Sequence, residues 1–416
     1  MKHGIKKLHV SLSFSEGQQL RVGLLADHAG DIRFEYDSEF IAAGLDISPF
    51  KLPLGRSTWK GTPELFGGLP GVMDDSLPDG WGRLLIDRQF RRSGVNPAQL
   101  SQLDRLAYLG TRTMGALTYH PPANELQENQ LLDLDLLAQQ SEEVLSGDAP
   151  QVLEQLLRVG GSSGGARPKA LVGLHGDTVI TGDGPLPADF EPWLVKFRGH
   201  RDPPDAGAIE YVYSLMARKA GLEMSPCQLL TTTGGARFFA TRRFDRGPTG
   251  RLHSHTLANL LHGDFRQPAF DYEHLLRVAL RLTQTRAAVH HCYRHMLFNV
   301  LAWNRDDHAK NFGFLMDAEG QWRTSPSYDL VFSEGYREHH FTTIAGEGAE
   351  PTRQHFARLA TLVDLGRGEC KTIEDAVRGA VGEWPLLAKE HEISTETIER
   401  IAGYHARAAK ALSGPK

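Results

Sequence analysis

Acid, base and amide groups are concentrated in two short stretches, NRDDHAKN at residues 304–311 and SYDL at residues 327–330. A site for a metal–nucleotide complex needs hard oxygen ligands, because Mg²⁺ prefers oxygen. It also needs a carboxylate that accepts the proton of the attacking hydroxyl. Asp306 could act as that base, and Asn311 and Asp329 could hold Mg²⁺. Asp306 and Asn311 could instead cap helices or form turns, since Asp and Asn favour both positions.

A helix must carry this stretch to a fixed place. Apolar residues recur between residues 284 and 303 at the spacing of a buried helical face. The pattern stops at Asn304, and six of the next seven residues are polar or charged. We therefore expect the packed helix to hold Asp306 and Asn311 in position.

Composition limits the class of protein. A chain of 416 residues with 40% hydrophobic and 23% charged residues is long enough for two or three domains with buried cores. The net charge of −5 argues against nucleic-acid binding by the whole surface, although it allows a local basic patch. The three cysteines are far apart and form neither a disulfide framework nor a metal spacing. With no signal peptide and no membrane-spanning stretch, we expect a cytoplasmic protein.

The N-terminal third alternates strand and turn signals. Residues 8–14, 20–26 and 32–36 are predicted strands of an antiparallel meander. Residues 66–82 are crowded with turn formers but retain apolar anchors, and we interpret them as a structural loop leading into a helix that ends at residue 92. Residues 121–150 are acidic and lack Lys and Arg, which favours a linker plus a helix.

A Gly-rich segment, GGSSGGA at residues 160–166, precedes a predicted strand at residues 170–174. We interpret the apolar residues 156–159 before it as a strand, with a helix end as the alternative. Glycines let backbone N–H groups approach phosphates without a Cβ clash. The segment is not a Walker A loop, because no Gly-Lys-Ser/Thr opens a helix. A hairpin or a linker is the structural alternative.

Lys196 stands alone in an apolar strand at residues 193–197, where it could protect a sheet edge or pair with phosphates. A helix at residues 208–220 contains Glu210, as the Lys–Glu pair of kinases requires. Strands at residues 229–233 and 236–241 follow. The C-terminal half is predicted to be helix-rich, with helices at residues 275–283 and 284–303, helix starts at Thr372 and Ser394, and short strands at residues 312–316 and 321–324.

Taken in order, these motifs follow the sequence of parts in a two-lobed kinase. The chain resembles the HipA-type serine/threonine kinases, the toxins of bacterial toxin–antitoxin pairs, over nearly its whole length. The most specific segments are DDHAKN (306–311), SYDL (327–330), GARPK (165–169), RFDR (243–246) and DSLPDGWG (75–82).

The resemblance implies an α+β, bilobal, protein-kinase-like fold. It divides the chain into an N-terminal β-rich subdomain at residues 1–120 and an N-lobe-like α/β region with the Gly-rich loop at residues 121–245. An all-α C-terminal lobe with the catalytic loop and the metal aspartate occupies residues 246–416.

The resemblance also implies residue roles. Asp306 would be the catalytic base, assisted by Lys196, and Asn311 and Asp329 would hold Mg²⁺. The backbone from Arg242 to Phe244 would meet adenine. The implied ATP-binding residues are Ser163, Gly164, Gly165, Ala166, Arg167, Lys169, Lys196, Arg242, Phe244, His308, Lys310 and Tyr328.

Family members phosphorylate a serine of their own Gly-rich loop, which by position is Ser162 or Ser163. A phosphate there would add about −1.5 to −2 charges where ATP phosphates bind. Two departures stand out. Asp307 replaces a common Gly and could raise the pKa of Asp306, add a metal contact or face solvent. Arg167-Pro168 replaces a polar pair, and Pro168 would stiffen the end of the loop.

The favoured function is an ATP- and Mg²⁺-dependent protein kinase toxin that phosphorylates a translation component. By resemblance the substrate class is an aminoacyl-tRNA synthetase, with the glutamyl and tryptophanyl enzymes as candidates. One alternative is a co-repressor that contacts operator DNA only through a helix-turn-helix antitoxin, since the acidic chain has no obvious helix-turn-helix of its own. Another alternative is a small-molecule or lipid-type kinase, because the catalytic loop lacks the His-Arg-Asp order.

Overall fold

The structure is a computed structural model that describes residues 3–15, 17–123, 128–147, 154–161, 164–247, 250–267 and 269–413. Ser162 and Ser163 lie outside the described residues, and so do their predicted roles in self-phosphorylation and ATP binding. Among the described residues, no helix is long and apolar enough to cross a membrane.

The N-terminal region is built on a five-stranded sheet with the strand order β4-β3-β2-β1-β5. The predicted antiparallel meander is confirmed, since β2 pairs antiparallel with both β1 and β3. Alternate residues of β1, including Leu8, Val10 and Leu12, are fully buried against α4, as a half-buried strand requires. The elements are β1 (Lys7–Ser15), β2 (Gln18–His28), β3 (Asp31–Tyr36), α1 (Ser38–Ala43), β4 (Trp59–Lys60), α2 (Gly71–Asp74), α3 (Gly80–Arg92), α4 (Gln102–Leu109) and β5 (Leu117–His120).

A second five-stranded sheet follows, with the order β7-β6-β8-β10-β9. The strand predicted at residues 156–159 is wrong, because those residues belong to helix α6. Leu156 and Val159 are buried against this sheet, and a short apolar run does not by itself distinguish a strand from a buried helix. The Gly-rich segment therefore joins a helix to a strand. The elements are α5 (Leu134–Ser146), α6 (Glu154–Gly160), β6 (Lys169–His175), β7 (Thr178–Thr181), β8 (Glu191–Lys196), α7 (Ala206–Lys219), β9 (Cys227–Thr231) and β10 (Arg237–Arg242).

The C-terminal region is rich in helices but not all-α, because a three-stranded sheet in the order β13-β15-β16 lies beside residues 304–311, which are called the catalytic stretch after their predicted role. Hydrogen bonds from β13 hold the strand that follows Asn311, and this pairing cannot be read from a local pattern. The elements are β11 (Arg246–Gly247), β12 (Gly250–Arg251), β13 (His253–Thr256), α8 (Leu257–Leu260), β14 (Phe270–Asp271), α9 (Tyr272–Thr283), α10 (Arg286–Leu301), β15 (Gly313–Met316), β16 (Trp322–Thr324), β17 (Thr342–Thr343), α11 (Arg353–Leu362), α12 (Arg367–Gly382), α13 (Trp384–Glu390) and α14 (Thr395–Leu412).

Two predicted helix starts have different outcomes. The start at Thr372 is wrong, since α12 begins at Arg367, where the Gly366 N–H donates to the Glu369 carboxylate at 2.7 Å. That bond satisfies an N-terminal backbone group six residues before the predicted start. The start at Ser394 is confirmed, because Ser394 occupies the N-cap position of α14.

Helix α10 is the buried axis of the C-terminal region. Its Val289, Cys292, Met296 and Val300 are buried in the largest apolar core, which confirms the predicted helical face. Trp303 then adopts a φ of +54°, which turns the chain away from the helix axis and into the catalytic stretch. Packing of α10 therefore determines where that stretch begins.

Apolar packing crosses one of the predicted domain boundaries. Trp81 and Leu85 of α3 belong to the core of the second sheet, although they precede residue 120 in the chain. The division at residues 120 and 245 stays a prediction. The N-terminal region is in any case attached to the sheet that carries the Gly-rich segment.

A buried ionic network fixes the exit from β10. Asp245 is 0% exposed and accepts hydrogen bonds from Arg243 at 2.8 Å, from Arg246 at 2.7 Å and from the Gly115 N–H at 2.6 Å. Burial disfavours its charged form, but the two guanidinium groups outweigh burial and hold the pKa of Asp245 well below its ordinary value. Arg246 also donates to the Thr113 carbonyl at 2.8 Å. The N-terminal region thus anchors the segment between the sheet and the helical region.

Candidate active site

A cleft lies between the second sheet and the catalytic stretch, and most of the predicted site residues meet there. Strands β8 and β10 form one wall, and residues 308–311 and 327–330 form the other. The predicted residues that line it are Gly164, Gly165, Lys169, Lys196, Arg242, Phe244, His308, Lys310, Asn311, Tyr328 and Asp329.

Two predicted ATP-binding residues lie elsewhere. Arg167 forms an ion pair with Asp202 at 3.1 Å and lines a neighbouring cavity that also contains Lys196. Ala166 faces Gly80 of the N-terminal region, where a Cβ on Gly80 would lie 2.7 Å from the Ala166 Cα. The predicted base Asp306 is not among the residues that line the cleft. The individual roles of the site residues stay predictions, but the convergence of those that line the cleft is a property of the fold.

Lys196 bridges two carboxylates inside the cleft. Its Nζ donates to Glu210 of α7 and to Asp329 Oδ1, the latter at 2.5 Å. Burial disfavours the ammonium ion, yet Asp329 and Glu210 together raise the pKa of Lys196, so it stays protonated. Strand β8 lies between β6 and β10, and the sheet-edge alternative for Lys196 is therefore wrong.

Asp329 is held ionised in a strained backbone conformation. Its φ is +57°, a region that side chains rarely adopt outside constrained sites. Burial opposes its ionisation, but Lys196 and Lys169 outweigh burial and lower the pKa of Asp329 well below its ordinary value. A carboxylate that stays charged at neutral pH is what a metal ligand requires.

The Asn311 side chain closes the catalytic turn. Its Nδ2 donates to the Asp306 carbonyl at 2.8 Å, which leaves the Asn311 Oδ1 as the atom that could meet a metal. Tyr328 supports the same turn by donating to the Lys310 carbonyl at 2.6 Å. The turn-forming alternative for Asn311 is therefore correct, and it is compatible with a metal ligand at its oxygen.

Asp306 projects from this turn with its side chain accessible to water. Desolvation by the surrounding protein raises the pKa of its carboxyl group, and the nearby Asp329 charge adds to that effect. His308 and Arg167 act in the opposite direction. A carboxylate with a raised pKa is a better proton acceptor than an ordinary aspartate.

Asp307 faces neither a metal nor solvent. Both its oxygens accept hydrogen bonds: Oδ2 from Tyr272 at 2.7 Å and from His340 at 2.8 Å, and Oδ1 from the Phe341 N–H at 2.9 Å. The side chain is fully buried. Two of the three expectations for Asp307 are therefore wrong, because these donors draw the carboxylate into the core. The expected effect on Asp306 is retained as a minor one, since Asp307 raises its pKa less than burial and Asp329 do.

Replacing Asp307 with Asn should destabilise the protein by about 2–3 kcal/mol, because an amide nitrogen would face donors that then lose their acceptor. Urea unfolding measures the free energy. The control is Asp375→Asn on α12, where an exposed pair with Lys371 contributes only about 0.2–0.5 kcal/mol. Equal stability of both variants would contradict a structural role for Asp307.

The cleft end near β10 suits a flat apolar ring. The Phe244 and Tyr328 rings lie 5.3 Å apart. The backbone N–H groups of Arg242 and Arg243 already donate to the Pro226 and Pro192 carbonyls, each at 2.9 Å. Of the backbone donors predicted for adenine, Phe244 is therefore the candidate.

Residues of the N-terminal region also line the cleft, which the sequence analysis did not predict. Asp75, Asp79 and Met114 line it, and Asp75 accepts from His255 at 2.6 Å and from the Thr256 N–H at 2.7 Å. The signal was the DSLPDGWG segment, whose turn formers were interpreted as a structural loop. A polar loop that also carries buried anchors can line a site as well as connect elements.

Comparisons with known proteins agree with this architecture. The family model of the HipA-like C-terminal domain matches residues 161–384, and that of the HipA N-terminal domain matches residues 17–120. A Sinorhizobium fredii protein, Y4dM, whose name classes it as a candidate kinase, is 25% identical over 225 residues. That match spans only half of this chain and half of that relative.

A solved structure of a HipA protein resembles this chain over nearly its full length. HipA in the Shewanella oneidensis complex of HipA, HipB and operator DNA superposes with a TM-score of 0.72 at 17% identity. The match covers 97% of this chain and 96% of that one. At this identity the likeness confirms the bilobal fold alone.

Proposed function

Because the chain belongs to the HipA family, whose C-terminal domain model matches more than half of it, we propose that it is an ATP- and Mg²⁺-dependent protein serine/threonine kinase. The observation that carries the proposal is the Lys196–Glu210–Asp329 ion-pair set, which lines one cleft together with Asn311. Protein kinases use such a Lys–Glu pair and metal aspartate to position phosphates.

The oxygen set of the cleft fits Mg²⁺. Asn311 Oδ1 and the carboxylate of Asp329 would hold the ion, and both are hard oxygen ligands. When bound, Mg²⁺ would neutralise charge on the transferred phosphoryl group. Substrate phosphates and water would supply the further ligands, as is usual for Mg²⁺ at phosphate-transfer sites.

The remaining side chains have separate tasks in this proposal. Asp306 accepts the proton of the attacking hydroxyl as that oxygen approaches the γ-phosphate. Lys196 stays charged and binds the phosphates, held in place by Glu210. Lys169, whose Nζ donates to the Gly164 carbonyl at 2.5 Å, keeps the Gly-rich loop folded over them.

By family resemblance, the protein is the toxin of a toxin–antitoxin pair. Its substrate would be a translation component such as an aminoacyl-tRNA synthetase, and its DNA contact would be indirect, through a helix-turn-helix antitoxin. Phosphorylation of Ser162 or Ser163 in its own loop would shut it off, because the added charge repels ATP phosphates.

The test is intact-mass spectrometry of the purified chain with Mg-ATP, together with calorimetry of Mg-ADP binding. We expect nucleotide binding and a gain of one phosphate on the chain, or on a synthetase from a panel. EDTA should abolish the transfer. A folded protein that neither binds ADP nor transfers phosphate would overturn the kinase proposal and favour the co-repressor alternative.

Activity should fall as the pH drops through the pKa of Asp306, since only its deprotonated form accepts a proton. That pKa is raised, so on the acid limb of the pH profile kcat/KM should begin to fall at a higher pH than the ordinary pKa of an aspartate would give. Arg167 lowers the pKa of Asp306, and Arg167→Gln should therefore move the limb to still higher pH. The matched control is Arg198→Gln, a similarly exposed arginine paired with Glu142. If the acid limb has the same midpoint pH in wild type, Arg167→Gln and Arg198→Gln, Asp306 is excluded as the titrating base.

A further inference from the structure

Two residues of the N-terminal region hold one glycine of the Gly-rich loop. The carboxylate of Asp79 accepts a hydrogen bond from the Gly165 N–H. The Gly165 carbonyl accepts from the Trp81 N–H at 3.0 Å. Both backbone polar groups of Gly165 are therefore bound by a segment that lies more than 80 residues away in the chain.

The Trp81 contact is rigid. Its side chain is 1% exposed, packs in the core of the second sheet and donates from Nε1 to the Lys169 carbonyl at 3.1 Å. Gly80 has a φ of +37°, and a Cβ there would lie 2.8 Å from the Gly165 carbonyl oxygen. Only a glycine allows the two backbones to approach so closely, which keeps the loop docked.

The Asp79 contact is chemically different. Asp79 lines the same cleft as Gly165, Lys169 and Lys196. In a Gly-rich phosphate loop, backbone N–H groups are the anion ligands. The Asp79 carboxylate thus accepts from the Gly165 N–H, a donor that suits phosphate, and Lys169 and Lys196 line the same cleft.

We propose that Asp79 is a built-in anion that competes with a nucleotide phosphate for the Gly165 N–H, whereas Trp81 is the fixed anchor of the loop. The inference rests on the proposed nucleotide-binding function of the cleft. A phosphate that reaches Gly165 displaces the carboxylate, and the loop stays docked through Trp81. The N-terminal region thereby sets nucleotide affinity through one charge.

Removing the charge should tighten binding of phosphates only. In calorimetry with Mg-ADP, Asp79→Asn should lower the Kd about tenfold, because a like charge a few ångströms from the phosphates is lost. The affinity for adenosine, which has no phosphate, should not change. Glu64→Gln is the matched control, since Glu64 is an exposed carboxylate of the same region that lines an adjoining groove with Asp79 but does not line the cleft itself.

Weakening the Trp81 anchor should lower the affinity for Mg-ADP instead of raising it. Trp81→Phe keeps the packed ring but loses the bond to the Lys169 carbonyl, so the loop is held less firmly. We expect the Kd for Mg-ADP to rise about fivefold, as for the loss of one hydrogen bond. A Trp81 variant that fails to fold leaves the Asp79 measurement decisive.

The outcomes separate this inference from the proposed function. Wild type that binds Mg-ADP, with Asp79→Asn binding no more tightly, would show that the carboxylate supports the loop and would overturn the competition. An equal change in adenosine affinity would also overturn it, because the effect would not act through phosphates. If neither protein binds adenosine or Mg-ADP, the kinase proposal fails together with this inference.

Discussion

Asp306→Asn should slow phosphate transfer from ATP about a thousandfold, the middle of the range for a positioned general base. The amide is nearly isosteric but cannot accept the hydroxyl proton. Affinity for Mg-ADP should stay close to that of wild type, because Asp306 is assigned to proton transfer and not to holding phosphates. Single-turnover transfer of labelled phosphate and calorimetry on the same preparation measure the two quantities.

The control for this variant is Asp375→Asn, an exposed aspartate on α12 that should leave the transfer rate unchanged. Because Asp307 adjoins Asp306 and is buried in the core, the stability of each variant should be measured alongside. A stable Asp306→Asn protein that transfers phosphate at the wild-type rate would exclude Asp306 as the base. Loss of both transfer and nucleotide binding would instead place Asp306 among the phosphate-holding residues.

Asp329→Asn should slow transfer by about a hundredfold to a thousandfold, the usual effect of losing one group that stabilises transition-state charge. It should also raise the Mg²⁺ concentration needed for half-maximal transfer, because an amide oxygen is a weaker ligand than a carboxylate. Lys196 would keep its bond to Glu210, so the substitution should weaken Mg²⁺ binding more than it disturbs the position of Lys196. Transfer rates over a Mg²⁺ titration provide the measurement.

Glu210→Gln is the discriminating partner for that experiment. Glu210 binds Lys196 as Asp329 does, but it is not assigned to the metal. The Glu210 variant should lower the rate without changing the Mg²⁺ requirement. If both variants shift the Mg²⁺ requirement equally, Asp329 acts through Lys196 and the metal assignment is wrong.

Local patterns were sufficient for much of the architecture. The spacing of Val289, Cys292 and Met296 identified the buried helix before the catalytic stretch, and alternating residues identified the first meander. Both are periodic signals that burial of one face imposes on neighbouring residues. The order of six motifs, from the Gly-rich segment to Asp329, predicted a two-lobed kinase, and segments such as DDHAKN and DSLPDGWG carried the resemblance to the HipA-type family.

Local patterns failed where the partner was distant in sequence. Residues 156–159 form a helix because α6 packs on the second sheet, and a short apolar run suits either element. The local pattern around Lys196 favoured a sheet edge, but β8 pairs with β6 on one side and β10 on the other. The local pattern allowed Asp307 to face solvent or a metal, but Tyr272 and His340 donate hydrogen bonds to its carboxylate and keep it buried.

By itself, the sequence determined the elements around the site and the residue types that meet in the cleft, because these depend on periodicity and motif order, and its specific segments resembled those of the HipA-type family. Only the tertiary structure decided which charges pair, where Asp307 points and that Asp79 and Trp81 hold the Gly-rich loop. Asp307 and His340 are 33 residues apart, Asp79 and Gly165 are 86 apart, and Lys196 and Asp329 are 133 apart. Packing of whole elements, and no local signal, brings such groups within hydrogen-bonding distance.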